Sequence, residues 1–484
     1  MRLIDAVLRT SFLAACAAMS LALGAAAQAP PQPAPTLPSE LLANLARLRD
    51  AALASDYAFR QVAHLTENIG PRLAGSLQAE AAVGYVADEL RRLGLEVKLE
   101  QVMVPHWVRG EEKAELTIYP GQAVGTTQKI VLTALGNSAA TPNDGLNADV
   151  VVVNNFDELA ALGRDKIAGR ILLFNEKFDR RMAAAGRGGP AYGEAVVYRG
   201  RGPQAAAMLG AVATLVRSVG GADYRLPHTG ASARAGIPAA AVTAEDAELI
   251  AHLAQQGRVA MHLVLTPQTL PDAVSHNVIA DLKGSESPEQ IVIVSGHLDS
   301  WDLGTGAIDD AAGLAVAMHA AQLCKQLGLT PRRTLRVVAW MNEENGGSGS
   351  RSYLAEYEGA LSDHVGAIES DLGAGHPLGF VGMFNPSARA TVRQITRVLS
   401  PIGATLVENT GDAGADVNAM GRRGVPVFGL MQDERTYFNY HHTAADTLDK
   451  VDPHELAENA AAMAVLGFAL ADMPQSLPRS AAPQ

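Results

Sequence analysis

The chain has 484 residues, 48% of them apolar and 19% charged, with a formal net charge of -12. That is enough chain for a large domain and a second one, in ordinary globular proportions. An acidic surface argues against nucleic acid or an anionic membrane as the main partner.

The N-terminus, residues 1–27, reads as an export signal. Arg2 and Arg9 accompany an apolar run from Ser11 to Ala26, and Ala25-Ala26-Ala27 offers a small-x-small cleavage site that makes Gln28 the mature start. The expected location is periplasmic or secreted. A lipoprotein is the second reading, with Leu13-Ala14-Ala15-Cys16 as the cleavage box and the anchor on Cys16. No stable membrane insertion is expected, because Gly, Pro or charge interrupts every later apolar run. With Cys16 removed, Cys324 is left without a disulfide partner and reads as a small core residue.

Residues 28–38 form a Pro-rich linker. Helical spacing follows from Glu40 to Leu53 and from Leu77 to Leu93, with Gly94 as a C-cap. Residues 39–104 open the main domain. Residues 105–272 read as an inserted domain of short strands, such as Ala148–Val153 and Arg170–Phe174, with a small-residue helix over Gln204–Val216. No segment of it concentrates metal-ligand residues. Residues 273–473 complete the main domain, and 474–484 read as a flexible tail. Strands are expected at Gln290–Ser295, Thr334–Met341, His364–Glu369 and Val425–Leu430, with a helix over Asp310–Leu327. The predicted fold class is α/β, a mostly parallel sheet covered by helices on both faces.

Each of these strands leads into His, Asp and Glu. The first leads into Gly296-His297-Leu298-Asp299-Ser300-Trp301, the second into Asn342-Glu343-Glu344-Asn345 and the third into Ser370-Asp371; the fourth precedes Tyr440-His441-His442-Thr443 by a loop. Ligands of open α/β sheets gather outside the carboxyl ends of the strands. Imidazole and carboxylate suit zinc, and two ions about 3.5–4 Å apart can share a carboxylate and activate a water. A carboxylate that is not a ligand must then relay the proton, which suits one member of an adjacent glutamate pair. Taken singly each piece is weak: a His-x-Asp is usually a surface or core pair, Glu-Glu a solvated helix start, and Asp309-Asp310 an N-cap. Their joint placement at successive strand ends is what points to a metal centre. No H-E-x-x-H, G-x-S-x-G or P-loop pattern competes.

These motifs, with Gly306-Ala307-Ile308-Asp309-Asp310 and His442-Thr443-Ala444-Ala445-Asp446-Thr447, resemble the di-zinc aminopeptidase and glutamate carboxypeptidase superfamily, and within it the plasma glutamate carboxypeptidase branch. The resemblance spans nearly the whole mature chain, including Pro105-His106-Trp107 and Ser275-His276-Asn277-Val278. It implies a zinc exopeptidase fold with an inserted protease-associated domain, two zinc ions per chain, short peptide substrates and a homodimer. It implies that His297 and Asp371 hold one zinc, Glu344 and His442 the other, and that Asp309 bridges them through a site with a cis Asp309–Asp310 bond. Glu343 would be the general base and Asp299 a carboxylate that fixes the His297 ring. His441, Asp416 and Tyr440 are candidates for touching substrate.

The rival enzyme on this scaffold is a glutaminyl cyclase-like acyl transferase with one metal. A binding module without catalytic metal, as the transferrin receptor is, is disfavoured because all five ligand positions and Glu343 are filled. The direction of cleavage rests on charge. Asp299, Asp302, Asp310, Glu408, Asp412, Asp416, Asp433 and Glu434 outnumber Arg351, Arg422, Arg423 and Arg435 near the motifs. Spare acids favour a free amino end, hence an aminopeptidase or dipeptidase; carboxypeptidase action is the alternative.

Overall fold

The computed structural model describes residues 36–480. The signal, its cleavage sites, Cys16 and most of the linker lie outside the described residues. Among those residues no helix is long and apolar enough to cross a membrane.

The main sheet has eight strands, in the order Glu96–Val108, Gln268–Leu282, Arg333–Trp340, Ser287–His297, His364–Glu369, Val427–Gln432, Pro377–Met383 and Leu406–Asn409. The strands that lead into the motifs form a parallel centre: Ser287–His297 pairs in parallel with Arg333–Trp340 and His364–Glu369, which pairs with Val427–Gln432. The flanks are mixed, with antiparallel pairings at Glu96–Val108, Gln268–Leu282 and Pro377–Met383. The sheet is therefore mixed, with parallel pairing concentrated at its centre.

Successive side chains of a strand face opposite ways, and here both faces are buried. Val292, Val294, Leu335 and Val337 join a core with the helices Ser39–Leu53, Ala312–Leu327 and Pro453–Asp472. Ile291, Ile293, Val338 and Trp340 join another core with the helix Ser348–Glu356. The continuous apolar runs of the sequence follow from this double burial. Cys324 is fully buried, as a core residue.

The inserted region leaves and re-enters through a long antiparallel ribbon, Glu96–Val108 against Gln268–Leu282. Its own eight-stranded sheet lies between Glu112 and Leu265. The helix expected over Gln204–Val216 is displaced: a helix spans Gly188–Met208 and a strand Ala213–Arg217. Gly210, at φ 82°, turns the chain between them, and Val216 and Thr214 suit the strand that the alanine run disguised. Residues 474–480 are not loose. Leu477 is buried, and Arg479 donates to the carbonyls of Leu361 and His364.

The two sheets are joined beside the motifs. Trp301, from the first motif, inserts into the core of the second sheet with Trp107 and Leu73. Arg109 grips Asp302 with two hydrogen bonds of 2.8 and 2.7 Å. A Cβ on Gly136 would lie 2.2 Å from the Trp301 ring. Gly136→Ala is therefore expected to destabilise the protein by about 1–3 kcal/mol, the usual cost of overpacking. A thermal midpoint equal to wild type would show that the ring can move aside.

Candidate metal centre

The strand ends converge. His297 closes its strand, and its backbone N–H donates to Asp310 Oδ2 at 2.9 Å. Asp310 Oδ1 accepts from Gly313 at 2.9 Å, which ties the motif loop to the start of the helix Ala312–Leu327. The loop between is held by Asp446, whose Oδ1 accepts from the N–H groups of Ala307 and Ile308, both at 2.8 Å. These contacts set the backbone around Asp309, and the Asp309–Asp310 peptide is cis.

Asp309 lies between two groups of side chains. Its Oδ1 is 3.1 Å from His297 Nε2, which is 3.4 Å from Asp371 Oδ1. Its Oδ2 is 3.1 Å from His442 Nε2, which is 2.9 Å from Glu344 Oε2. The ligand atoms of His297, Asp309 and Asp371, and those of Asp309, Glu344 and His442, each fall within 4.8 Å of one another. All five residues expected as metal ligands thus meet, with Asp309 common to both groups. The donor set fits zinc. Asp309 Oδ2 and Glu344 Oε1 are buried and accept no hydrogen bond, which is costly without a cation.

The electrostatics carry the same need. Burial, then the Asp309 charge, push the Glu344 carboxyl up to about 7. Burial also raises Asp371. Burial would lower His442, but the Glu344 charge and the nearby Asp309 carboxylate outweigh it and carry the imidazole up to about 9. Asp309 is held well below its ordinary value: burial acts upward, and His441, His297 and His442 overcome it.

Glu343 shares the turn with Glu344 but is less buried. Asp299 Oδ1 accepts from the N–H groups of Asn342 at 2.8 Å and Glu343 at 3.1 Å. The role expected for Asp299 changes accordingly. His297 Nδ1 lies 3.0 Å from the Asp299 main-chain carbonyl and 3.8 Å from its carboxylate. The carbonyl orients the ring, and the carboxylate anchors the glutamate turn.

Most of the supposed spare acids are engaged. Asp302 is paired with Arg109, Asp310 holds backbone, Asp433 pairs with Arg435, Asp412 accepts from Asn418, and Glu434 accepts from Gly189. Asp416 differs: it is 2% exposed, and its Oδ2 accepts no hydrogen bond. Burial lifts its carboxyl to about 7, within electrostatic reach of His297 and Asp371. The Tyr440 ring lies 5.3 Å from Lys450 Nζ, in a cleft lined also by Ile308, Leu372 and Tyr437. His441 stacks on His442 at 3.6 Å, with Nε2 3.3 Å from Asp309 Oδ2.

Three residues at the centre carry no signal in the sequence. Arg72, fully buried, donates to the carbonyls of Leu298, Thr305 and Gly306 beneath the acidic cluster. Arg199 and His228 come from the inserted region. Arg199 Nη1 is 3.3 Å from His442 Nδ1, and His228 Nε2 is 3.1 Å from His441 Nδ1.

The sequence model of peptidase family M28 matches residues 277–467. Carboxypeptidase Q of Bos taurus is 39% identical over 433 residues, covering 88% of each chain. The human carboxypeptidase Q is 38% identical, with the same coverage. A peptidase M28 precursor of Shewanella amazonensis SB2B, 37% identical, superposes with a TM-score of 0.86 over 91% of this chain and 99% of that one. The aminopeptidase of Aneurinibacillus sp. strain AM-1, at 20% identity and a TM-score of 0.63 over 90% of this chain and 98% of that one, shares the fold. With relatives this similar along nearly the whole described chain, and with histidines and carboxylates converging within the residues that the family matches, the chain belongs to peptidase family M28 and is a zinc exopeptidase.

Proposed function

We propose that this peptidase holds two zinc ions, one on His297 and Asp371 and one on Glu344 and His442, with Asp309 shared. The observation that carries this reading is the Asp309 carboxylate, whose two oxygens each lie 3.1 Å from a different histidine. Zinc held there would polarise a peptide carbonyl and make a water acidic near pH 7. Glu343 takes the proton from the attacking water and returns it to the leaving amine. Asp299 keeps Glu343 in reach by fixing its main chain.

The substrate is a short peptide with a free amino end, so the activity is that of an aminopeptidase or dipeptidase. Asp416 supports this direction. It is a buried carboxylate with an unpaired oxygen, while Arg72 and Arg109 spend donors on groups of the protein itself. An ammonium group suits it better than a carboxylate would. The inserted region is read as a protease-associated domain, residues 1–27 as an export signal, and the chain as a homodimer, all three on the sequence and its resemblance.

A dipeptide panel tests the direction. N-acetylating a good dipeptide is expected nearly to abolish its hydrolysis, whereas amidating its C-terminus matters less. Fast cleavage of the acetylated form with none of the amidated form would reverse the assignment to carboxypeptidase.

A further inference from the structure

We infer that His228, from the inserted region, is a positioning residue that fixes the His441 ring with its proton on Nε2, facing the Asp309 carboxylate. The two imidazoles share one hydrogen bond, His228 Nε2 to His441 Nδ1 at 3.1 Å. Both residues are buried. Which nitrogen carries the shared proton follows from what lies at the far ends.

If His441 donated from Nδ1, its bare Nε2 would face the Asp309 oxygen at 3.3 Å, lone pair against lone pair. His228 would then carry its proton on Nδ1, which has no hydrogen-bond partner. A buried N–H left unsatisfied is costly. If His228 donates from Nε2 instead, both conflicts vanish. His441 keeps its proton on Nε2, 3.3 Å from Asp309 Oδ2, and His228 Nδ1 is left as an unused acceptor.

The arrangement is built to hold. The His228 N–H donates to Ser218 Oγ at 3.0 Å, and the next residue, Thr229, donates its N–H to the His442 carbonyl at 3.0 Å. A Cβ on Gly220 would lie 2.8 Å from His228 Cδ2, so the ring is pressed against that backbone. His441 is stacked on His442 and bordered edge-on by Tyr192 at 5.2 Å. The inserted region therefore sets which nitrogen of an imidazole beside the shared carboxylate carries the proton, as residues behind a metal site commonly do.

The rate effect rests on the two-zinc reading; the position of the proton does not. The test compares wild type, His228→Leu and His228→Gln, all zinc-loaded. Long-range proton–nitrogen NMR of the histidine rings is expected to find His441 protonated at Nε2 in wild type and at a mixture of nitrogens in His228→Leu. Turnover of His228→Leu is expected to fall roughly 10-fold with KM little changed. His228→Gln, which can still offer an N–H, is expected to recover most of the rate. A proton on His441 Nδ1 in wild type would overturn the inference. So would equal turnover in His228→Leu and wild type, or a third zinc in wild type that His228→Leu loses. A single zinc per chain would instead defeat the two-zinc reading, and the NMR result would still decide this one.

Discussion

Glu343→Gln is expected to retain two zinc ions and to lose at least about 100-fold in turnover, the scale of a missing general base. The substitution keeps the side-chain volume and removes only the ability to take a proton. The Glu343 main chain is fixed by Asp299, so the turn survives the change. Burial, then the Asp371 charge, raise the Glu343 carboxyl well above its ordinary value, in the direction a base for neutral pH requires. Glu344→Gln provides the contrast. Glu344 Oε2 is 2.9 Å from His442 Nε2, so that variant is expected to lose metal as well as rate. Zinc analysis alongside kcat separates the two. Loss of a zinc from Glu343→Gln, with both kept in Glu344→Gln, would exchange the roles.

The centre was legible in the sequence where its cause is local. His297, Glu344 and Asp371 each lie at or just after the end of an apolar strand, and strand ends of a parallel sheet share one edge. What stayed hidden depends on contacts between distant segments. His228 and His441 are 213 positions apart, and nothing near His228 marks it as part of a site. Arg72 precedes its carbonyl partner on Leu298 by 226 positions. The charge count near the motifs also misled in detail, because an acid in sequence is not a free acid in space: Arg109, before the inserted sheet, claims Asp302. The antiparallel flank at Glu96–Val108 and Gln268–Leu282 arises from the same source, since the ribbon that carries the insertion must run out and return.

Asp309→Asn is expected to reduce bound zinc from two to at most one and to remove most activity. An amide nitrogen has no lone pair to offer, so only one of the two ligand groups could keep its third member. At zinc a thousandfold above Kd, each lost site would forfeit about 4 kcal/mol of ligand-linked stability, read as a smaller rise in thermal midpoint on zinc addition. Proton release gives an independent reading. Zinc competes with protons for its ligands. Without metal, the Glu344 carboxyl is pushed up to about 7 and the His442 imidazole up to about 9, so at pH 7 zinc must displace protons from this pair. Affinity at that position is expected to rise with pH up to about 9. The Asp309 charge raises both groups, so Asp309→Asn lowers both values and leaves fewer protons to displace. Calorimetry in buffers of different ionisation enthalpy counts those protons. A variant that still binds two zinc ions and releases as many protons as wild type would remove Asp309 from between them.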